Sequence, residues 1–272
     1  MVMKKGFWII LCMFFIPPVT FAGNMKLHYD RPAEYFEEAL VIGNGTMGAT
    51  LYGGVKKDKI SFNDITLWTG EPESENSSPD AFNTIPEIRA LLDNEDYQGA
   101  DKAQYKVQGH YSENYQPLGT LTIEYLDDTA GISDYHRWLD IGNATARTQY
   151  LKDGELFTSD YFASAPDSVI VIRLKSENKE GIHALLSFDS PLPHSSQVAD
   201  NEISVEGYAA YHSFPVYYKA EDKHRYDPER GIHFKTLVRV LSVDGRVKNR
   251  YSDSRIEIDG LSLIHISEPT RR

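Results

Sequence analysis

Apolar and polar residues alternate with a period of two along much of this chain. Leu121, Ile123 and Tyr125 alternate with Thr120, Thr122 and Glu124. That is the pattern of a strand with one face in a core and one face in water. Residues 40–42 and 47–52 are apolar runs flanking Gly43-Asn44-Gly45. Asn-Gly between such runs predicts a hairpin. Ile60 and Phe62 suggest a further short strand. Asp153-Gly154 predicts a tight turn between strands over 148–151 and 156–161. Residues 169–174 form a β-branched run suited to a buried strand, and 185–188 and 203–205 are shorter candidates. The longest expected strand covers 234–243, followed by a second Asp-Gly turn at Asp244-Gly245. Residues 191–193 and 217–231 read as long loops.

One helical insert interrupts the strands. Thr84 and Glu87 form a capping-box pattern with Pro86 in the expected first turn. Ile88, Leu91 and Leu92 then make one apolar stripe. A second helix is expected over 95–107, with Tyr97, Ala100 and Ala103 inward and Gly109 as its stop. Many strands with turn signals at short intervals predict an antiparallel sandwich or barrel rather than alternating β-α-β units.

The two ends change the domain picture. Lys4-Lys5, an apolar run over 7–15 and Ala22 describe a secretory signal peptide spanning 1–22. That implies export, to a periplasmic or extracellular location, with no membrane attachment after cleavage. The lone Cys12 falls inside this segment, so the mature chain needs no disulfides. Residues 261–271 resemble the in-frame translation of a transposon-type sequencing adapter. On that reading 261–272 is a non-native tail, and 23–260 is an incomplete, C-terminally truncated domain.

Composition then narrows function. Of the 272 residues, 28 are Lys or Arg and 40 are Asp or Glu, a net charge of −12. This argues against a nucleic-acid partner, which requires basic patches. There is no phosphate-binding glycine loop and no nucleophile elbow. The histidines are scattered without metal-ligand spacing, so no metal and no cofactor are expected. Glu37-Glu38, Asp127-Asp128 and Glu221-Asp222 are adjacent carboxylates, which point to opposite faces of a strand and cannot jointly flank one bond. Asn44, Asn76 and Asn143 match the glycosylation pattern and read as turn residues. Aromatic residues make up 12% of the chain, including 17 Tyr, and flat aromatic faces suit sugar rings. Trp68, beside Asn63 and Asp64, is the best local candidate for such a platform; a core Trp anchoring the sandwich is an equal reading.

Four segments carry a family resemblance. They are 32–45, ending Ile42-Gly43-Asn44-Gly45; Phe62-Asn63-Asp64-Ile65-Thr66-Leu67-Trp68-Thr69-Gly70; Tyr115-Gln116-Pro117-Leu118-Gly119-Thr120-Leu121; and a last group with Tyr135-His136-Arg137-Trp138-Leu139-Asp140-Ile141, Ala144, Tyr150 and Tyr161-Phe162-Ala163-Ser164. Together they resemble the N-terminal domain of the family 95 glycoside hydrolases, exo-acting α-L-fucosidases and related α-L-galactosidases. Phe36, Val41, Asp64 and Thr69 depart from the family's usual Trp, Pro, Glu and Ser. The resemblance implies a mainly β fold: a large antiparallel β-sandwich of supersandwich type with a helical insert around 84–108. It also implies an (α/α)6 barrel carrying the catalytic carboxylates for inverting hydrolysis of a fucosylated glycan. That barrel is not in this sequence, so no catalytic residue is assigned, and the barrel is itself an expected partner. Asn63, Asp64, Trp68, Tyr115 and Gln116 are the candidates for the substrate-pocket mouth or the barrel interface. A stand-alone carbohydrate-binding module and a purely structural module are the competing readings.

Overall fold

The protein is described from a computed structural model, which covers residues 25–72, 80–109, 112–242 and 244–271. The expected signal peptide, Cys12 and Asn76 lie outside these described residues. Among the described residues, eighteen strands and two α-helices follow one another. The first four strands are β1 (Lys26–Tyr29), β2 (Leu40–Gly43), β3 (Met47–Leu51) and β4 (Lys57–Asp64). The helices α1 (Ala81–Asp93) and α2 (Tyr97–Gln104) come next. Then follow β5 (Gly119–Tyr125), β6 (Ile132–Asp140), β7 (Thr145–Lys152), β8 (Glu155–Ser164), β9 (Val169–Ser176) and β10 (Ile182–Asp189). The last group is β11 (His194–Ala199), β12 (Glu202–Tyr208), β13 (His212–Ser213), β14 (His224–Arg225), β15 (His233–Ser242), β16 (Arg246–Arg250), β17 (Arg255–Leu261) and β18 (Leu263–Arg271).

The strands form two large antiparallel sheets. A nine-stranded sheet runs β1-β6-β7-β8-β9-β18-β15-β12-β11, and a seven-stranded sheet runs β16-β17-β10-β5-β4-β3-β2. β13 and β14 pair separately. The inner faces supply one core: Leu121 and Ile123 from β5, Ile60 and Phe62 from β4, Ile170, Ile172 and Leu174 from β9, and Ile203 and Val205 from β12. The strand pattern left sandwich and barrel open; the two sheets form the large sandwich that the resemblance implies.

The hairpins form where the turn residues predict them. Asn44 accepts bonds from the backbone of Thr46 at 3.0 Å and of Met47 at 2.8 Å, closing β2 onto β3. Asp153 and Gly154 adopt φ of 53° and 86°, the doubly left-handed turn that suits a two-residue hairpin. Residues 143–145 also lie at a turn, with Ala144 at φ 53°. β15 begins at His233 and has 10 residues, sharing its length with β8. The loop expected over 217–231 contains the short strand β14.

The helical insert differs in detail from the sequence expectation. α1 starts at Ala81, so Thr84 is not its cap; its hydroxyl donates back to the Asp80 carbonyl at 3.0 Å. Pro86 therefore lies inside the helix rather than at its first position. Leu92 and Tyr97 are exposed, because the two helices pack chiefly against each other; Ala100 and Ala103 are buried but stand outside the core of the sandwich. The second helix spans Tyr97–Gln104, continued by a 3₁₀ turn over Tyr105–Val107.

Two buried polar groups hold the interior. Arg137, on β6, is 1% exposed. Its guanidinium donates to the carbonyls of Arg31 and Glu38, each at 2.8 Å, and covers the Tyr29 ring at 4.1 Å. It thereby ties the N-terminal segment to the nine-stranded sheet. Asp58 occupies an inward position of β4 where the alternation calls for an apolar residue. It accepts from the Tyr161 hydroxyl at 2.7 Å and the Gly54 amide at 2.9 Å. Burial pushes its carboxyl up to about 6, against the lowering effect of these bonds.

A pH dependence follows. The folded-state value lies above that of an unfolded aspartate. This group's contribution is therefore most favourable below the unfolded value and is lost as pH rises through about 6. The loss is on the order of 3 kcal/mol. Asn at this position keeps the shape without the charge. Urea denaturation between about pH 4 and pH 7.5 should show Asp58→Asn gaining stability over the wild type as pH rises. Parallel pH profiles for the two proteins would refute this assignment.

Candidate functional site

The five candidate residues meet at one end of the sandwich. β4 ends at Asp64, and the chain turns sharply because the Asp64 carboxylate accepts from the Thr66 amide at 2.8 Å. The next residues run antiparallel to those just before β5. The Gln116 amide donates to the Leu67 carbonyl at 2.9 Å, and Trp68 and Tyr115 form a β-bridge. The Trp68 and Tyr115 rings pack edge to face with centroids 5.5 Å apart. The Tyr115 hydroxyl donates to the Asp64 carbonyl at 2.8 Å. Burial, then the Asp64 charge, raise the Tyr115 hydroxyl above the ordinary tyrosine range. The indole N–H of Trp68 donates to the Ile65 carbonyl at 3.1 Å.

Exposure divides the five. Asp64 and Gln116 are buried, whereas Trp68 and Tyr115 are 43% and 40% exposed. Trp68 is therefore a surface residue rather than a core anchor. Asn63 is exposed on the outer face of β4 and lines a shallow groove with Tyr115, Phe36 and Pro117. Phe36 and Ile65 add exposed apolar area at 62% and 56%. The result is an aromatic rim supported from below by a bonded turn.

A second polar layer holds that rim, and sequence reasoning did not find it. Glu113 accepts from the Thr69 hydroxyl, from the Ser213 amide at 3.0 Å and pairs with His212 Nδ1 at 2.8 Å. The Ser213 hydroxyl contacts His224 Nδ1 at 2.8 Å, and the Asn114 side-chain amide donates to that hydroxyl at 2.8 Å. Gly70 is required here. Its φ is +106°, and a Cβ would lie 2.7 Å from the Glu113 side chain. No spacing rule links position 113 to position 212. The only local signal was that Glu113 lies two residues before the Tyr115 segment.

This cluster is suited to holding loops rather than to bond cleavage. Ser213 is fully buried, and both Glu113 carboxylate oxygens already accept bonds. Among the described residues no group of three His, Cys, Asp or Glu is arranged to hold a metal ion.

Fold and rim together define a large antiparallel sandwich domain with an aromatic surface at one end. Residues 27–267 match the family described as "Glycosyl hydrolase family 65, N-terminal domain", and the chain belongs to it. It is 28% identical over 242 residues to "Alpha-L-fucosidase 2" of Arabidopsis thaliana, covering 86% of this chain and 29% of that protein. It is 28% identical over 179 residues to "Probable alpha-fucosidase A" of Aspergillus niger, covering 62% of this chain and 22% of that protein. The chain thus spans less than a third of the length of these curated relatives.

Loss of Glu113 tests the supporting layer. Glu113→Ala strips the acceptor from the buried Ser213 amide and from Thr69, at a cost of about 2 kcal/mol. Trp68→Ala removes a half-exposed ring and should cost less than about 1 kcal/mol. Denaturation midpoints in the reverse order would contradict this division of roles.

Proposed function

We propose that this chain is the N-terminal sandwich domain of an exported, exo-acting α-L-fucosidase. In the longer parent protein, inverting hydrolysis of terminal α-L-fucosyl linkages is carried out by an (α/α)6 barrel outside this chain. The observation that carries this reading is the similarity to "Alpha-L-fucosidase 2" along 86% of the chain. The exposed Trp68–Tyr115 rim supports placing the pocket mouth or the barrel contact at that end. Asn63 belongs to the same surface, while Asp64 and Gln116 act by holding it. On this reading the isolated chain is inactive, and the glycan is its substrate only in the context of the parent.

The parent enzyme should release β-L-fucose first from a fucosylated oligosaccharide, as followed by proton NMR. Release of α-L-fucose, or none at all, would overturn the reading. Trp68→Ala in the parent should raise KM several-fold with kcat little changed if the rim meets substrate. An unchanged KM with lowered stability would assign the rim to domain contact instead.

The tail reading makes its own prediction. Leu263–Arg271 forms β18, and Ile264 and Ile266 are buried in the core. If 261–272 derives from an adapter, the native locus past Gly260 encodes a different strand that keeps apolar residues at positions 264 and 266 and leads into barrel-encoding sequence. A stop codon directly after Gly260, or the same residues in the native locus, would contradict it.

A further inference from the structure

The far end of the sandwich carries a second concave surface. The strand register separates the two ends. β4 pairs Phe62 with Gly119 at the Trp68 end, and Lys57 with Glu124 at the other. At that other end, the β7–β8 hairpin and the starts of β6 and β10 surround a cleft of about 250 Å³. Its floor is aromatic. Tyr150 and Phe157 stack with centroids 4.7 Å apart, and Tyr125 meets Phe157 edge-on at 5.4 Å. Ile132 and Ile182 close the sides, and Asp127 and Glu180 stand on the rim.

One group in this floor lacks a partner. Tyr150 is 5% exposed, yet its hydroxyl makes no hydrogen bond with any described residue, and Tyr150 lines the cleft. The neighbouring hydroxyls differ: Tyr161 donates to Asp58 at 2.7 Å and Tyr135 donates to the Gly53 carbonyl at 2.6 Å. The Tyr150 hydroxyl is not among the fully buried polar atoms, so it opens into the cleft and is free to bond whatever occupies that space. The rim chemistry limits what that is. Lys152 is already occupied by Asp128 at 2.9 Å and Asp153 at 3.4 Å, so it is not available as an anion anchor. Carboxylates of Asp127 and Glu180 accept hydrogen bonds and repel anions.

We propose that this cleft binds one neutral, hydroxyl-rich sugar unit. The volume suits a single pyranose rather than a chain. Tyr150 is stacked between Phe157 and Tyr135, so the C–H groups of the ring meet Ile132, Ile182 and only the small part of these aromatic rings left exposed in the cleft. The Tyr150 hydroxyl and the rim carboxylates take its hydroxyls. The site is separate from the Trp68–Tyr115 rim. Its ligand class agrees with the glycosidase reading of the domain, but its geometry stands without it.

The test titrates the whole chain with L-fucose, D-galactose and D-glucose, followed by NMR line shifts and by calorimetry, with D-glucuronic acid and D-glucosamine as charged comparisons. At least one neutral sugar should bind in the millimolar range, and glucuronic acid should not. Tyr150→Phe removes only the hydroxyl and should weaken binding by about fivefold with an unchanged melting temperature. Asp127→Asn, on the exposed rim, should weaken it as well. Tyr251→Ala, on an exposed turn outside both surfaces, should leave it unchanged. Loss of binding in Trp68→Ala with retention in Tyr150→Phe would move the sugar to the rim and overturn the proposal. Binding of glucosamine alone would replace the neutral sugar with a cationic amine. No binding by any of the three neutral sugars would also overturn it. None of these results alters the test of fucose release by the parent, so the two readings fail separately.

Discussion

The nine-stranded sheet is continuous only because one strand lies between β9 and β15. β9 pairs with β8 on one side and β15 with β12 on the other, and β18 joins these two blocks along its length. That strand arrives from β17 of the opposite sheet with a single residue, Ser262, between them. The crossing is tight. Gly181, Gly245 and Gly260 meet there with φ of 78°, 65° and 70°. A Cβ on Gly181 would sit 2.6 Å from the Gly260 backbone, and one on Gly245 would sit 2.2 Å from Leu261. Side chains are thus barred on steric and conformational grounds. The slot itself asks for little: backbone partners on both edges and apolar side chains at the inward positions, each such buried Ile contributing about 2 kcal/mol.

With both sheets closed around one core, the two ends of the sandwich differ. The Trp68 end has loops braced by Glu113 and an exposed aromatic rim. The Tyr150 end has a smaller cleft whose aromatic floor continues into the core. Beside that cleft, Asp58 holds a carboxylate in the interior, bonded to Tyr161 of the facing sheet. A carboxylate linking two sheets at the cost of its own desolvation favours one register over its neighbours, because a one-residue slip would point it to the outer face.

Much of this was legible in the alternation. Leu121, Ile123 and Tyr125 read as an inward face and are one, at 0%, 0% and 5% exposure. The Asn44 and Asp153 turns were legible because each needs a residue tolerant of left-handed or side-chain-capped backbone. Edge and polar strands such as β1, β11 and β16 were not, since their residues are mostly exposed and carry no apolar period. The helix start was misplaced because Thr84 satisfies a backbone carbonyl from within the helix, mimicking a cap in sequence. At the site, the contiguous segments around Trp68 and Tyr115 could be read. The Glu113–His212–Ser213 contacts could not, as they span 99 and 100 positions and depend on the fold.

On the proposed function, the Trp68–Tyr115 end faces the remainder of a longer glycosidase. Hydroxyl-radical footprinting of the isolated chain and of the full-length parent addresses it directly. Trp68 and Tyr115 should react readily in the isolated chain and be protected in the parent, while the exposed Tyr251 on the β16–β17 turn should react equally in both. Equal reactivity of Trp68 in both proteins would contradict it.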